Sequence, residues 1–176
     1  MRHFKNFMIL VMTLAAVTFT SCSSDDDSGD DPGTGGGGGA EFLTAIIDGA
    51  DFAASQSPAV IVGAQSTNGI LAVQGGDNNG NTINFAIQNY TGVGTYVTGD
   101  DISNSNSIQY LQISPAPSTW LSSGVTSLVG GLNPGTIEIT SDDGTTVEGT
   151  FSFDGYNGSD MTTKVVTQGS FKAVLE

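Results

Sequence analysis

Residues 41–176 predict an all-β domain: an antiparallel β-sandwich or up-and-down β-barrel of about nine or ten strands. Three observations carry that expectation. Apolar and polar residues alternate with a period of two, as in Ile83, Phe85 and Ile87 against Asn84, Ala86 and Gln88. Val147, Phe151 and Phe153 alternate in the same way with Glu148, Thr150, Ser152 and Asp154, which sends the two sets to opposite faces of a strand. Turn-forming residues punctuate the chain at short intervals, and no window carries the 3.6-residue apolar stripe of a packed helix.

The elements follow in order. A strand over 42–47 ends at Asp48-Gly49, and a second covers 51–54. Strands over 58–64 and 69–75 flank Thr67-Asn68-Gly69, and the polar run Gly75 to Asn81 leads into a strand over 81–89. A strand over 94–98 gives way at Gly99-Asp100-Asp101, before one over 107–114. The stretch from Pro115 to Gly131 is the least regular, and its Trp120-Leu121 is expected to cap one end of the core. Asn133-Pro134-Gly135 precedes a strand over 136–141. Asp142-Asp143-Gly144 turns that strand into one over 145–154, and Asp154 to Ser159 lead to the last, over 162–175.

Upstream of the domain, Arg2, His3 and Lys5 precede an apolar-rich run over 7–17, then Thr18-Phe19-Thr20-Ser21 and the sole cysteine, Cys22. The run is too short to cross a bilayer as a helix, which takes about 20 residues. The pattern resembles a bacterial lipoprotein signal, with a small residue, Ser21, before the cysteine and Phe19 where such signals usually have Leu. The resemblance implies a signal peptide over 1–21 and acylation of Cys22, whose several chains would hold a membrane firmly. Residues 22–40 then form the lipidated cysteine and a Ser/Asp/Gly tether that buries nothing and is expected to be disordered. As a flexible coil it would span about 23 Å. The acidic run Ser23-Ser24-Asp25-Asp26-Asp27 is similar to the surface-export signal of Bacteroidota lipoproteins, which implies an outer-membrane, cell-surface location.

Charge and composition exclude much. The chain holds 4 basic and 18 acidic residues, for a net charge of −14. Without Arg2 and Lys5, only Lys164 and Lys172 face those 18 acids, a net of −16. Such a surface repels phosphate backbones, so nucleic acid is not an expected partner. His3 and Cys22 are the only residues of their kinds, so beyond Cys22 there is no Ser-His or Cys-His pair, no histidine or thiolate zinc site and no disulfide. No enzyme is expected.

Carboxylates and aromatics remain as candidates. With Asp142-Asp143-Gly144 as a three-residue hairpin loop, Ile139 would face Val147 and Glu138 would face Glu148. Two acids about 5 Å apart need compensation. With Val165, Thr167, Phe171, Ala173 and Leu175 inward on the last strand, Lys164 and Lys172 would supply it. A Ca²⁺ ion is the alternative, drawing on Glu138, Asp142, Asp143 and Glu148, or on Asp77, Asp100 and Asp101 in two further oxygen-rich loops. A retaining glycosidase uses a similar carboxylate spacing, but a flat, solvated sheet face cannot raise an acid's pKa as a cleft does. Tyr110, Trp120 and Tyr156 are candidates for stacking on sugar rings.

The segments Gly135 to Thr140, Val147 to Phe153 and Val165 to Phe171, with Phe42 to Phe52 and Gly94-Thr95-Tyr96, resemble the strands of a flavobacterial surface lipoprotein family with a β domain of unknown function. The resemblance implies an antiparallel β domain on a lipid anchor and brings no catalytic residues. The leading expectation is a membrane-anchored, non-enzymatic binding domain for a glycan or protein. The competing one is a structural or adhesive envelope component without a small-molecule ligand.

Overall fold

The computed structural model describes residues 40–55 and 62–176. Cys22, the signal and most of the tether lie outside these residues, as does much of the strand expected over 58–64. Eleven antiparallel strands are described: β1 (Phe42–Ile47), β2 (Ala50–Ala53), β3 (Gly63–Thr67), β4 (Ile70–Gly76), β5 (Thr82–Gln88), β6 (Gly94–Thr98), β7 (Ser107–Gln112), β8 (Ser118–Ser123), β9 (Gly135–Asp142), β10 (Thr146–Asn157) and β11 (Thr162–Val174). They form one curled sheet in the order β2-β1-β11-β10-β8-β7-β5-β4-β3. The sheet forks at β10, whose first half pairs β9 while Tyr156 pairs Leu121 of β8; β6 lies outside β9. β3 comes back toward β11 through a parallel bridge between Ala64 and Leu175, and Glu176 N–H donates to Ala64 O at 3.0 Å. The result is a half-barrel wrapped around a single core. Among the described residues no helix is long and apolar enough to cross a membrane.

The alternation seen in sequence builds that core. Ile83, Phe85 and Ile87 of β5 meet Val147, Phe151 and Phe153 of β10 and Phe171 of β11 in one apolar cluster, each such side chain contributing about 2 kcal/mol by leaving water. Phe171 lies edge-on to Phe85, with ring centroids 5.1 Å apart. Asp48-Gly49 and Asn68-Gly69 both take positive φ at their two residues, the geometry that lets two-residue hairpins match strand twist.

Three details depart from the sequence expectation. The irregular stretch contains a full strand, β8, followed by a 3₁₀ turn over Gly124–Leu128. Within β8 the only strong apolar marks are the adjacent Trp120 and Leu121, so the period was not legible. The β9–β10 hairpin pairs Ile139 with Gly149 and Glu138 with Thr150, not with Val147 and Glu148, and a bulge follows Glu148. The cause is a wider turn, in which Asp143 Oδ1 accepts the Thr145 and Thr146 N–H groups at 2.9 and 2.7 Å. On β11 a bulge around Gln168, at φ 52°, reverses the phase: Val166 is buried and Val165 is 47% exposed. Beyond the bulge Phe171 and Ala173 point inward as expected.

Candidate functional site

The turn carboxylates are held by their own loops. Asp77 Oδ1 accepts the N–H groups of Asn79 and Asn81 at 2.8 and 2.9 Å. Asp101 accepts both the N–H and the hydroxyl of Ser103, which lower its pKa. Asp100 accepts Asn104 Nδ2. Asn104 and Asn106 both donate side-chain amides to Val97 O, at 2.8 and 3.0 Å, fixing this loop against β6. Asp142 accepts Gly144 N–H and the Tyr90 hydroxyl, the latter at 2.6 Å. Burial and then Asp142 hold the Tyr90 phenol above its ordinary pKa. Thr145 and Thr146 lower the pKa of Asp143.

These contacts account for the positions of the turn carboxylates. Asp77 lies on one turn, Asp100 and Asp101 on a second and Asp142 and Asp143 on a third, with Glu138 on β9 and Glu148 on β10, and among the described residues no group of three His, Cys, Asp or Glu is placed to hold a metal ion. Asp at the first position of a tight turn caps the N–H two residues on, as Asp77, Asp101, Asp142 and Asp143 do here. Glu148 pairs with Lys172 at 2.8 Å, while Glu138 stands exposed between Thr95 and Thr150. Lys164 bonds Asp48 at 3.0 Å. Burial would raise the Asp48 pKa, but the Val165 N–H and Lys164 together bring it below the ordinary value.

The aromatic candidates divide. Pairing of β7 with β8 sets Tyr110 opposite Trp120 on the inner face. The two are 6% and 7% exposed and stacked at 5.9 Å, so neither offers a face to a sugar. Trp120 Nε1–H is satisfied by Thr162 Oγ1 at 2.9 Å, and Lys164 Nζ lies 4.8 Å from its ring. Burial raises the Tyr110 phenol, with Asp77 and Asp48 adding to the shift. Tyr156 faces outward, half-buried, and lines a groove of ≈ 420 Å³ with Pro117, Thr119, Leu121 and Asp160.

The outer face of β3, β4, β5 and β7 carries a larger feature, a shallow trough of ≈ 450 Å³. Unbroken registers align its outward residues in two rows, Gly63-Gln74-Asn84-Gln109 and Gln65-Ala72-Ala86-Ser107. Small side chains at Gly63, Ala72, Ala86 and Ser107 leave the floor low, and the longer amides Gln65, Gln74, Asn84 and Gln109 stand around it. Gln112 donates its amide to Ser114 O at 2.8 Å, whereas these four amides have no hydrogen-bond partner among the described residues. Among the described residues Glu176 is the sole charged residue lining the trough. Each amide presents a carbonyl acceptor and two N–H donors, so the surface can bond a neutral, hydroxyl-rich ligand from several directions. The sequence signal was the uncharged character of the outward positions on β5 and β7, in a domain rich in acids; the pairing that groups them was not legible.

Fold and site together define an all-β domain bearing an amide-lined trough with Glu176 at its margin. The chain belongs to the family described as Domain of unknown function (DUF6252), which it matches over residues 41–175. No curated protein and no solved structure matches the chain.

Proposed function

We propose that this domain is a non-enzymatic module that binds a neutral glycan in the trough on β3, β4, β5 and β7. The trough itself carries the reading: four amides surround a floor of Gly, Ala and Ser, with one carboxylate at the margin. Sugar hydroxyls donate and accept hydrogen bonds, as amides do, and a neutral ligand meets no repulsion from an acidic protein. The small floor residues let a ring approach the sheet closely. A lining of amides around a lone acid also lacks the paired carboxylates that glycoside hydrolysis uses.

The proposal places the domain on a lipid anchor at Cys22, displayed at the outer surface of a bacterial outer membrane, with the Ser/Asp/Gly segment as tether. The basic start, apolar run and acidic residues after Cys22 support that placement. A glycan-array screen of the soluble domain tests the binding reading, with Ala72→Arg as the control that fills the trough. Binding by the native domain that the Ala72→Arg variant loses is the expected result. A blank array, or equal binding by both, would overturn the trough as a glycan site and favour a protein partner or a structural role. Mass spectrometry of full-length protein expressed in a bacterium tests the anchor: an acyl mass is expected on Cys22 and should vanish in Cys22→Ser.

A further inference from the structure

We infer that the ligand is an extended chain, an internal stretch of a linear oligosaccharide lying across the strands from the trough to the Tyr156 groove. This rests on the glycan reading above and goes further, because it assigns the second groove and the direction of the ligand. The two depressions lie on one face and share a single line of cross-strand neighbours: Gly63, Gln74, Asn84, Gln109, Leu121 and Tyr156, each paired to the next. Five inter-strand steps at the ordinary spacing make this line roughly 24 Å long, the length of a short oligosaccharide rather than of one sugar.

The chemistry changes along the line in a way that suits a pyranose chain. At the trough end, amides meet hydroxyls. At the other end, half-buried Leu121 and Tyr156 offer apolar and aromatic surface to the C–H faces of the sugar rings. Asn157, Gly158 and Ser159 border that end with further polar groups. Both depressions are open, so a chain can continue past either end, and recognition does not depend on a terminal sugar.

The test is calorimetric titration with neutral gluco-, manno- and xylo-oligosaccharide ladders, from monosaccharide to hexasaccharide, against the native domain, Gln74→Ala and Tyr156→Ala. Affinity should climb with chain length up to about the length that fills 24 Å. Tyr156→Ala should weaken the longest ligands about tenfold, the equivalent of roughly 1.4 kcal/mol, and leave disaccharide binding unchanged. Gln74→Ala should weaken all lengths. Leu121→Lys, which blocks the groove from a second position, should reproduce the Tyr156→Ala pattern. A disaccharide that binds as tightly as a hexasaccharide, or Tyr156 and Leu121 variants that bind like the native domain, would overturn the extended site while leaving the trough intact. Absence of binding at every length would remove both readings together.

Discussion

The two halves of the sheet are built differently. Across β3, β4, β5, β7 and β8 the registers run without a break. Around β9, β10, β11 and β1 the pairings of β10 with β11, β9 with β10 and β1 with β11 each contain a shift, while β1 with β2 and β6 with β9 run without one. In the shifted half, glycine is required by close approach: a Cβ on Gly169 would collide with the ring and carbonyl oxygen of Phe151, and one on Gly149 with Glu138 O. Bulges bend and twist strands, so this half supplies the curvature that folds the sheet around Phe85, Phe151 and Phe171. The regular half is then left straight enough to keep its outward side chains aligned in rows. Curvature and the proposed trough thus fall to different strands of the same sheet, and Tyr156 of β10 is the one proposed contact on the curved half.

That division can be broken deliberately. Phe171→Ala removes the ring at the centre of the curved half, 1% exposed, and should cost about 4 kcal/mol of unfolding free energy. Chemical denaturation followed by tryptophan fluorescence measures it, and a loss near that of a surface substitution would show that the curved half does not hold the fold. Gly169→Ala should cost about 3 kcal/mol through overpacking against Phe151, read as a lowered melting temperature.

Acid probes the turns, most of them within the curved half. Asp48, Asp101, Asp143 and Asp160 all have pKa values below the ordinary 3.8, so each contributes stability above that value and loses it as pH falls through its lower folded value. The urea midpoint should therefore be level from neutral pH to about 5 and fall below about 4. At the other extreme the Tyr90 and Tyr110 phenols are raised above 10.0. Their contribution is complete below that pH and declines as pH rises beyond it. A midpoint that rises on acidification would contradict the turn geometry.

The smallest effect on folding belongs to the regular half. Gln109→Ala, on the trough, should change stability by no more than about 0.5 kcal/mol. It should weaken an oligosaccharide that binds there by about fivefold, the value of one neutral hydrogen bond near 1 kcal/mol. A variant that melts early and binds normally would reverse the assignment of roles.

Much of the fold was legible in the sequence because the inward positions of β4, β5, β9 and β10 are strongly apolar and their turns carry Asn-Gly, Asp-Gly or Asx signals. β8 was missed because its inward residues are Trp120 and Ser122, and Ser122 is buried through a hydroxyl contact with Thr98 Oγ1 at 2.8 Å, a partner that local pattern cannot name. The phase error on β11 has the same origin: Val165 and Val166 look alike as inward residues, and only the bulge decides between them. Tyr156 was distinguishable from Tyr110 and Trp120 only through pairing. Recognising Gln65, Gln74, Asn84 and Gln109 as one surface required knowing that β7 joins β5 directly, with β6 displaced to β9.

The two asparagine amides on Val97 O have a consequence for the outermost strand on the forked branch. Among the described residues β6 pairs on one side only, and an unpaired strand edge is a template onto which a second chain can add. Asn104 and Asn106 already occupy one backbone carbonyl of this strand, so a chain adding along β6 would have to displace both amides to pair there.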